Sequence, residues 1–222
     1  LNNWLELDIS VDGALTLDPK SFLDFPYNPY NQLYIPQHGG VWQVPANEIF
    51  NQSWLADVEA KLDIKVDAAL VFYREGGYQH AGAHIDVEPL HGETLPVAAS
   101  FNWVLEQDDT SQMTWYEPWW DAEDIDQIKA AAQGKYVHPQ VDSPSDEEHK
   151  AMLYQETPVE LLKENDCHNL SHKKLTMVRT NVPHNVRMGP NTRWCVTLRN
   201  WGALPWRWSE CVRRYEHMQD SR

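Results

Sequence analysis

Cysteine is scarce in this chain, with three in 222 residues. Cys167, Cys195 and Cys211 form no CxxC pair, which excludes a thiolate zinc site of that spacing. An odd count argues against a disulfide framework, so reduced thiols in a cytoplasmic setting are the expectation. Long hydrophobic runs are missing, and no apolar stretch approaches the ~20 residues of a membrane span. The opening LNNWLELDIS has neither the basic start nor the apolar run of a secretory signal. Basic charge is short as well: 18 Lys and Arg stand against 33 Asp and Glu, a net of −15. Repulsion from phosphates argues against nucleic acid as the partner of so acidic a chain. Repeats and low-complexity tracts are absent, which excludes solenoids and disordered arrays.

What is present is enough apolar material for a core. Hydrophobic residues make up 42% of the chain, and its length suits one domain. Charge is uneven. Residues 1–105 carry a net −10, residues 106–164 a net −11, and residues 165–222 a net +6. The basic end suits a small anion. The acidic middle is an ordinary solvated face or a surface for a basic partner.

Short β-type runs dominate: GALTLDP, QLYIP, IKVDAALVFYREGGY, AGAHIDVE, LPVAASFNWVLEQ, QMTWYEP, KLTMVRTN, VPHNVRM and TRWCVTLRN. Helical patterns appear in PANEIFNQSWLADVEAKL, where Ile49, Trp54, Val58 and Leu62 share a stripe, in DAEDIDQIKAAAQ, near PVELLKEN, and in WSECVRRYEHMQ. Many short strands with few helices predict a mainly β chain with flanking helices, built as a jelly-roll type of barrel. The expected plan is a single domain over 1–222. Its core lies at about 65–105 and 175–202, with an acidic insertion at 106–174 and N-terminal strands and a supporting helix in 1–64.

The stretch YQHAGAHIDVEP carries the chemistry. His80 and His84 have the i, i+4 spacing of a zinc helix, but Ala81 follows the first histidine where a glutamate is needed. Gly76, Gly77 and Gly82 also disfavour a helix. Read as a strand, His84 and Asp86 point to one side. Together they supply two ligands of a 2-His-1-carboxylate triad. Alone, such a string is more often a surface hydrogen-bonded pair. His80 and His91 flank it and read as loop histidines.

A third ligand is offered by His184, in NVPHNVRM, and nine residues later Arg193 opens a strand. On that strand Arg193, Cys195, Thr197 and Arg199 share one face, and Trp194, Val196 and Leu198 the other. The apolar face predicts a packing layer, which puts Arg193 towards the interior. A buried arginine needs an anionic partner, and none lies near it in sequence. A small dicarboxylate fits that need through a bidentate pair.

HID at 84–86, His184 and Arg193 together resemble the iron(II)- and 2-oxoglutarate-dependent dioxygenases. FYREGGYQHAGAHID and PHNVRMGPNTRWCVTL look most like the prolyl-hydroxylase-like branch. The resemblance spans about residues 70–105 and 175–200. It implies a double-stranded β-helix, cupin-like core and three metal ligands, His84, Asp86 and His184, which would be the catalytic centre. It implies Fe(II), 2-oxoglutarate and O2 as cofactor and co-substrates, with Arg193 on the 5-carboxylate and succinate and CO2 as products. Tyr73, on the strand before HxD, is where relatives often place a tyrosine against the co-substrate; a core tyrosine bonded to backbone is the equal alternative. Asn102 lines the site or an exposed face. Thr197 shares the carboxylate with Arg193 or only packs. Arg199 rivals Arg193, holds an acidic substrate group, or is a surface charge. The ligating histidines must be neutral, so activity is expected to fall at acid pH.

The leading expectation is an oxygenase that hydroxylates an unactivated carbon of an amino-acid side chain, free or in a peptide, or of a small metabolite. Two alternatives stay open: a cupin-like metalloenzyme without 2-oxoglutarate, and a non-catalytic module for a metal or small anion. Eleven tryptophans are many for this length. They cluster at Trp115, Trp119 and Trp120 and at Trp201, Trp206 and Trp208, as core cover or as pocket wall.

Overall fold

The structure, a computed structural model, describes residues 1–23, 31–34, 38–78, 82–90, 93–135, 157–200 and 204–219. Its first strands are β1 (Trp4–Ser10), β2 (Asn31–Tyr34), β3 (Gly39–Pro45), β4 (Ala68–Arg74), β5 (Gly82–Ala83), β6 (Val87–Leu90) and β7 (Glu93–Pro96). The later ones are β8 (Ala99–Glu106), β9 (Gln112–Tyr116), β10 (Thr157–Pro158), β11 (Glu164–His168), β12 (Lys174–Arg179), β13 (His184–Arg187) and β14 (Arg193–Arg199). Helices are α1 (Ala46–Ile49), α2 (Gln52–Leu62), α3 (Ile125–Ala132) and α4 (Trp208–Tyr215).

AALVFYR, ASFNWVLE, KLTMVR and RWCVTLR carry apolar residues at both parities. Strands of that kind cannot turn one face to water, so they are driven between two layers. They become β4, β8, β12 and β14, inside a seven-stranded antiparallel sheet of order β1-β12-β8-β14-β4-β3-β2. A second, three-stranded sheet runs β11-β9-β13. A single bridge between His84 and His184 connects it to β5, which pairs with β10, while β6 and β7 form a separate hairpin.

Two cores lie on either side of the large sheet. On one face Val71, Phe101, Trp103, Met177, Trp194, Val196 and Leu198 pack against α1, α2 and α4 through Ile49, Leu55, Val58, Leu62, Trp208, Cys211 and Tyr215. On the other, Val104, Val178 and Cys195 meet Met113 and Trp115 of β9, with Phe72 and Ile85 packed alongside. The second core therefore fills the space between the sheets. Mainly antiparallel β structure with flanking helices agrees with expectation. Among the described residues no sheet closes on itself.

Some local readings change. The helix expected through PANEIFNQSWLADVEAKL breaks at Phe50, which is extended and fully buried. Asn51 then caps α2, its side chain accepting from the backbone N–H of Ser53 and Trp54. GALTLDP supplies one bridge, Leu15 to Phe50, and no strand. PVELLKEN is only a 3-10 turn over Val159–Leu161 before β11 begins. The stretch 106–174, expected as an insertion, supplies β9 and β11 of the second sheet. No helix among the described residues is long and apolar enough to cross a membrane.

Candidate metal centre

His184 opens β13 directly opposite Trp115, a member of the inter-sheet core. The residue is 4% exposed. The backbones of His84 and His184 exchange two hydrogen bonds, at 3.0 and 2.9 Å, which brings the imidazoles side by side with ring centroids 4.7 Å apart. Asp86 lies between β5 and the β6–β7 hairpin. Its N–H donates to Thr180 O at 2.9 Å and its carbonyl accepts from Val97 N at 3.3 Å. Thr180 is itself fixed, its N–H on Ala98 O and its hydroxyl on Val97 O.

These three side chains converge. Asp86 Oδ1 lies 3.6 Å from His84 Nε2 and 3.5 Å from His184 Nε2, and the donor atoms lie within 4.8 Å of one another. Ligands at about 2.1 Å from an ion and at right angles sit about 3 Å apart, close to this spacing. His184 Nδ1 lies 3.0 Å from Val182 O. That contact makes Nδ1–H a donor to the backbone carbonyl and turns Nε2 towards Asp86, the orientation in which a histidine ligates a metal. Burial pushes the Asp86 carboxyl up, but hydrogen bonds from His184 and His84 outweigh it and hold it well below the usual range. The residues could hold a metal ion, and the donor set of two imidazoles and one carboxylate fits a divalent transition metal.

The expected co-substrate residues divide. Arg193 is 4% exposed, and its Nε donates to Gln107 Oε1 at 3.1 Å. No carboxylate lies within ion-pair distance of it among the described residues. Asn102 and Thr197 are buried on the inner face of the large sheet, in phase with Val104 and Cys195 of the second core. They stand in one cross-strand row with Thr176, in the register Thr176–Asn102–Thr197. Among the described residues, buried Asn102 Oδ1 and Thr176 Oγ1 have no hydrogen-bond partner. Buried polar atoms of this kind call for a ligand or an ordered water.

Tyr73 is not brought to this face. Its ring tilts against Trp194 at 4.8 Å and packs on the helix-covered core, while its neighbour Phe72 faces the inter-sheet side. Tyr73 is partly buried against that core, and desolvation raises its phenol. Arg199 lies at the opposite end of β14 from Arg193. There it lines a cleft with Pro96, Ser100, Leu198, Leu204 and Trp206. Val97, bonded to Asp86, also lines that cleft, so it adjoins the centre. His80 and His91 lie outside the described residues, as does Trp201.

Three contributors escape a reading of the sequence: Thr176, Thr180 and Gln107. Thr176 had a signal, a polar residue within the apolar run KLTMVR, of the same kind as Asn102. Gln107 had none, because its partner lies 86 residues away. No protein-family model matches the chain, and no curated protein matches it either.

Proposed function

We propose that this chain is an Fe(II)- and 2-oxoglutarate-dependent oxygenase that hydroxylates an unactivated carbon of an amino-acid side chain or small metabolite. The observation that carries the reading is the pairing of two features. Two imidazoles and a carboxylate converge on one point, and a buried arginine on the same large-sheet interior has no acidic partner among the described residues. The opposed antiparallel sheets suit a double-stranded β-helix whose ligands sit at one end, between the sheets.

Iron held by His84, Asp86 and His184 would supply open coordination sites for 2-oxoglutarate and dioxygen and the oxidising power for carbon hydroxylation. The balance is substrate C–H, O2 and 2-oxoglutarate to C–OH, succinate and CO2. The chain's own residues bind and orient. Arg193 pairs with the distal carboxylate of the co-substrate. Asn102, Thr176 and Thr197 offer hydrogen bonds along its length. The cleft of Pro96, Leu198, Leu204 and Trp206 receives the substrate and keeps water from the centre.

Anaerobic titration of Fe(II)-loaded protein with 2-oxoglutarate tests this. A saturating visible charge-transfer band is expected, with half-saturation shifted upwards by ten-fold or more, roughly, in Arg193→Ala. If Arg199→Ala produces that shift instead, the arginine is misassigned. With iron bound and no band, 2-oxoglutarate drops out, leaving a cupin-like metalloenzyme or a metal-binding module.

A further inference from the structure

Arg193 is buried against a neutral partner, Gln107 Oε1. An arginine so placed usually meets a carboxylate, because an uncompensated buried charge is costly. The choice of glutamine is therefore informative, and its orientation is locked. Gln107 Nε2 donates to Leu170 O at 2.9 Å and to Asn169 Oδ1. Asn169 Nδ2 in turn donates to Ser111 O at 2.9 Å and to Asp108 O at 3.3 Å. Each amide has its NH2 committed to oxygen atoms. Flipping either one would set donor against donor or oxygen against oxygen. Gln107 Oε1 thus faces Arg193 by necessity. It engages Nε alone and leaves Nη1 and Nη2, the end of the guanidinium that grips a carboxylate in a fork.

The turn that carries Arg193 is clamped by the same segment. Asn191 N–H donates to Asp108 Oδ2 at 3.0 Å and Gly189 N–H to Ser111 Oγ at 2.9 Å. Arg74 stands opposite Arg193 in the β4–β14 register, adding a second guanidinium at that end of the sheet.

We infer that Gln107 is a positioning residue that holds Arg193 ready for a carboxylate ligand, and that its lack of charge is what keeps this anion site open. A glutamate at the same place would itself neutralise the guanidinium and shut the ligand out. The inference rests on the oxygenase reading only for the identity of the ligand as 2-oxoglutarate; the device itself needs no more than a carboxylate.

The test uses the full chain, metal-free, with glutarate as probe, since it has two carboxylates and no keto group to chelate a metal. Isothermal titration should show glutarate binding to the wild type. Gln107→Glu should weaken it by about ten-fold or more, and Gln107→Met, which removes the amide without adding charge, by about three-fold. Mn(II) affinity should be unchanged in both, and the arginine Nε–H resonance of Arg193 should shift in both. Wild-type glutarate affinity in Gln107→Glu overturns the inference, and so does Mn(II) affinity falling in step with glutarate. If the glutamate variant does not fold, unchanged affinity in Gln107→Met overturns it alone. A wild type that binds no glutarate also overturns it, while the iron titration above still decides the oxygenase reading. If glutarate behaves as expected but 2-oxoglutarate binds no tighter once Mn(II) is present, the positioning role stands and the oxygenase reading falls.

Discussion

Asp86 is the residue on which both histidines converge, 3.6 and 3.5 Å away. It carries the only charge in the donor set and sits on backbone bonds to Thr180 and Val97 that do not depend on its side chain. Asp86→Ala should therefore lower metal affinity by about a hundred-fold or more, since loss of even an outer hydrogen-bond partner of a ligand costs roughly 10–100-fold. The fold should be intact. Metal stoichiometry after dialysis, alongside circular dichroism, checks this; full retention of metal would remove Asp86 from the ligand set. At this scale the sequence was informative where chemistry is unusual. HID alone was weak, since such a string is more often a surface hydrogen-bonded pair; it stood out only in combination with His184 and Arg193. Tyr73 stayed open between two readings because a tyrosine near the end of an apolar strand looks the same whichever face it takes.

Turns decide where those strands point. The β13–β14 turn must deliver both His184 and Arg193 to the space between the sheets, and it is packed with little tolerance. A Cβ on Gly189 would fall 2.0 Å from Asp108 Oδ1, and one on Gly76 would fall 2.0 Å from Pro190 O. Asp108 holds the turn through N–H and hydroxyl donors. The Thr110 hydroxyl is foremost, with backbone N–H groups of Asn191, Thr110 and Ser111, and together they lower its carboxyl from 3.8 to about 2. The ionised form is thus favoured in the folded state. Its stabilising contribution is complete above pH about 4 and fades as pH falls through about 2. Asp108→Asn should be less stable than the wild type at neutral pH, and the gap should close across that acid window. Urea midpoints measured from pH 7 down to 2 give the answer, and a gap independent of pH would show that charge on Asp108 contributes nothing. None of this clamp was legible beforehand. TRWCVTLRN announced a strand by its alternation, whereas the clamp joins residues about eighty positions apart. The broken helix at Phe50 has the same cause: local propensity favoured one helix, and burial of Phe50 against Trp54 and Trp103 overrode it.

For the molecule as a whole, the large sheet separates a helix-covered core from the inter-sheet core that adjoins the candidate metal centre. Phe101 is fully buried on the helix-covered side, edge-on to Tyr215 at 5.4 Å, while its strand neighbour Asn102 faces the inter-sheet space. Phe101→Ala should cost about 3–5 kcal/mol of stability, read from denaturant unfolding. Metal affinity of the folded protein should change little, because the cavity opens on the far side of the sheet. A parallel loss of metal affinity would mean the two cores are coupled through β8. By itself the sequence determined the mainly β character, the candidate ligands and the candidate arginine, because apolar parity and the chemistry of His, Asp and Arg are local properties. Only the tertiary structure decided that His84 and His184 lie side by side, that Tyr73 turns away, and that Arg193 meets a neutral amide. Those outcomes depend on strand register and on contacts between distant segments, which no local pattern encodes.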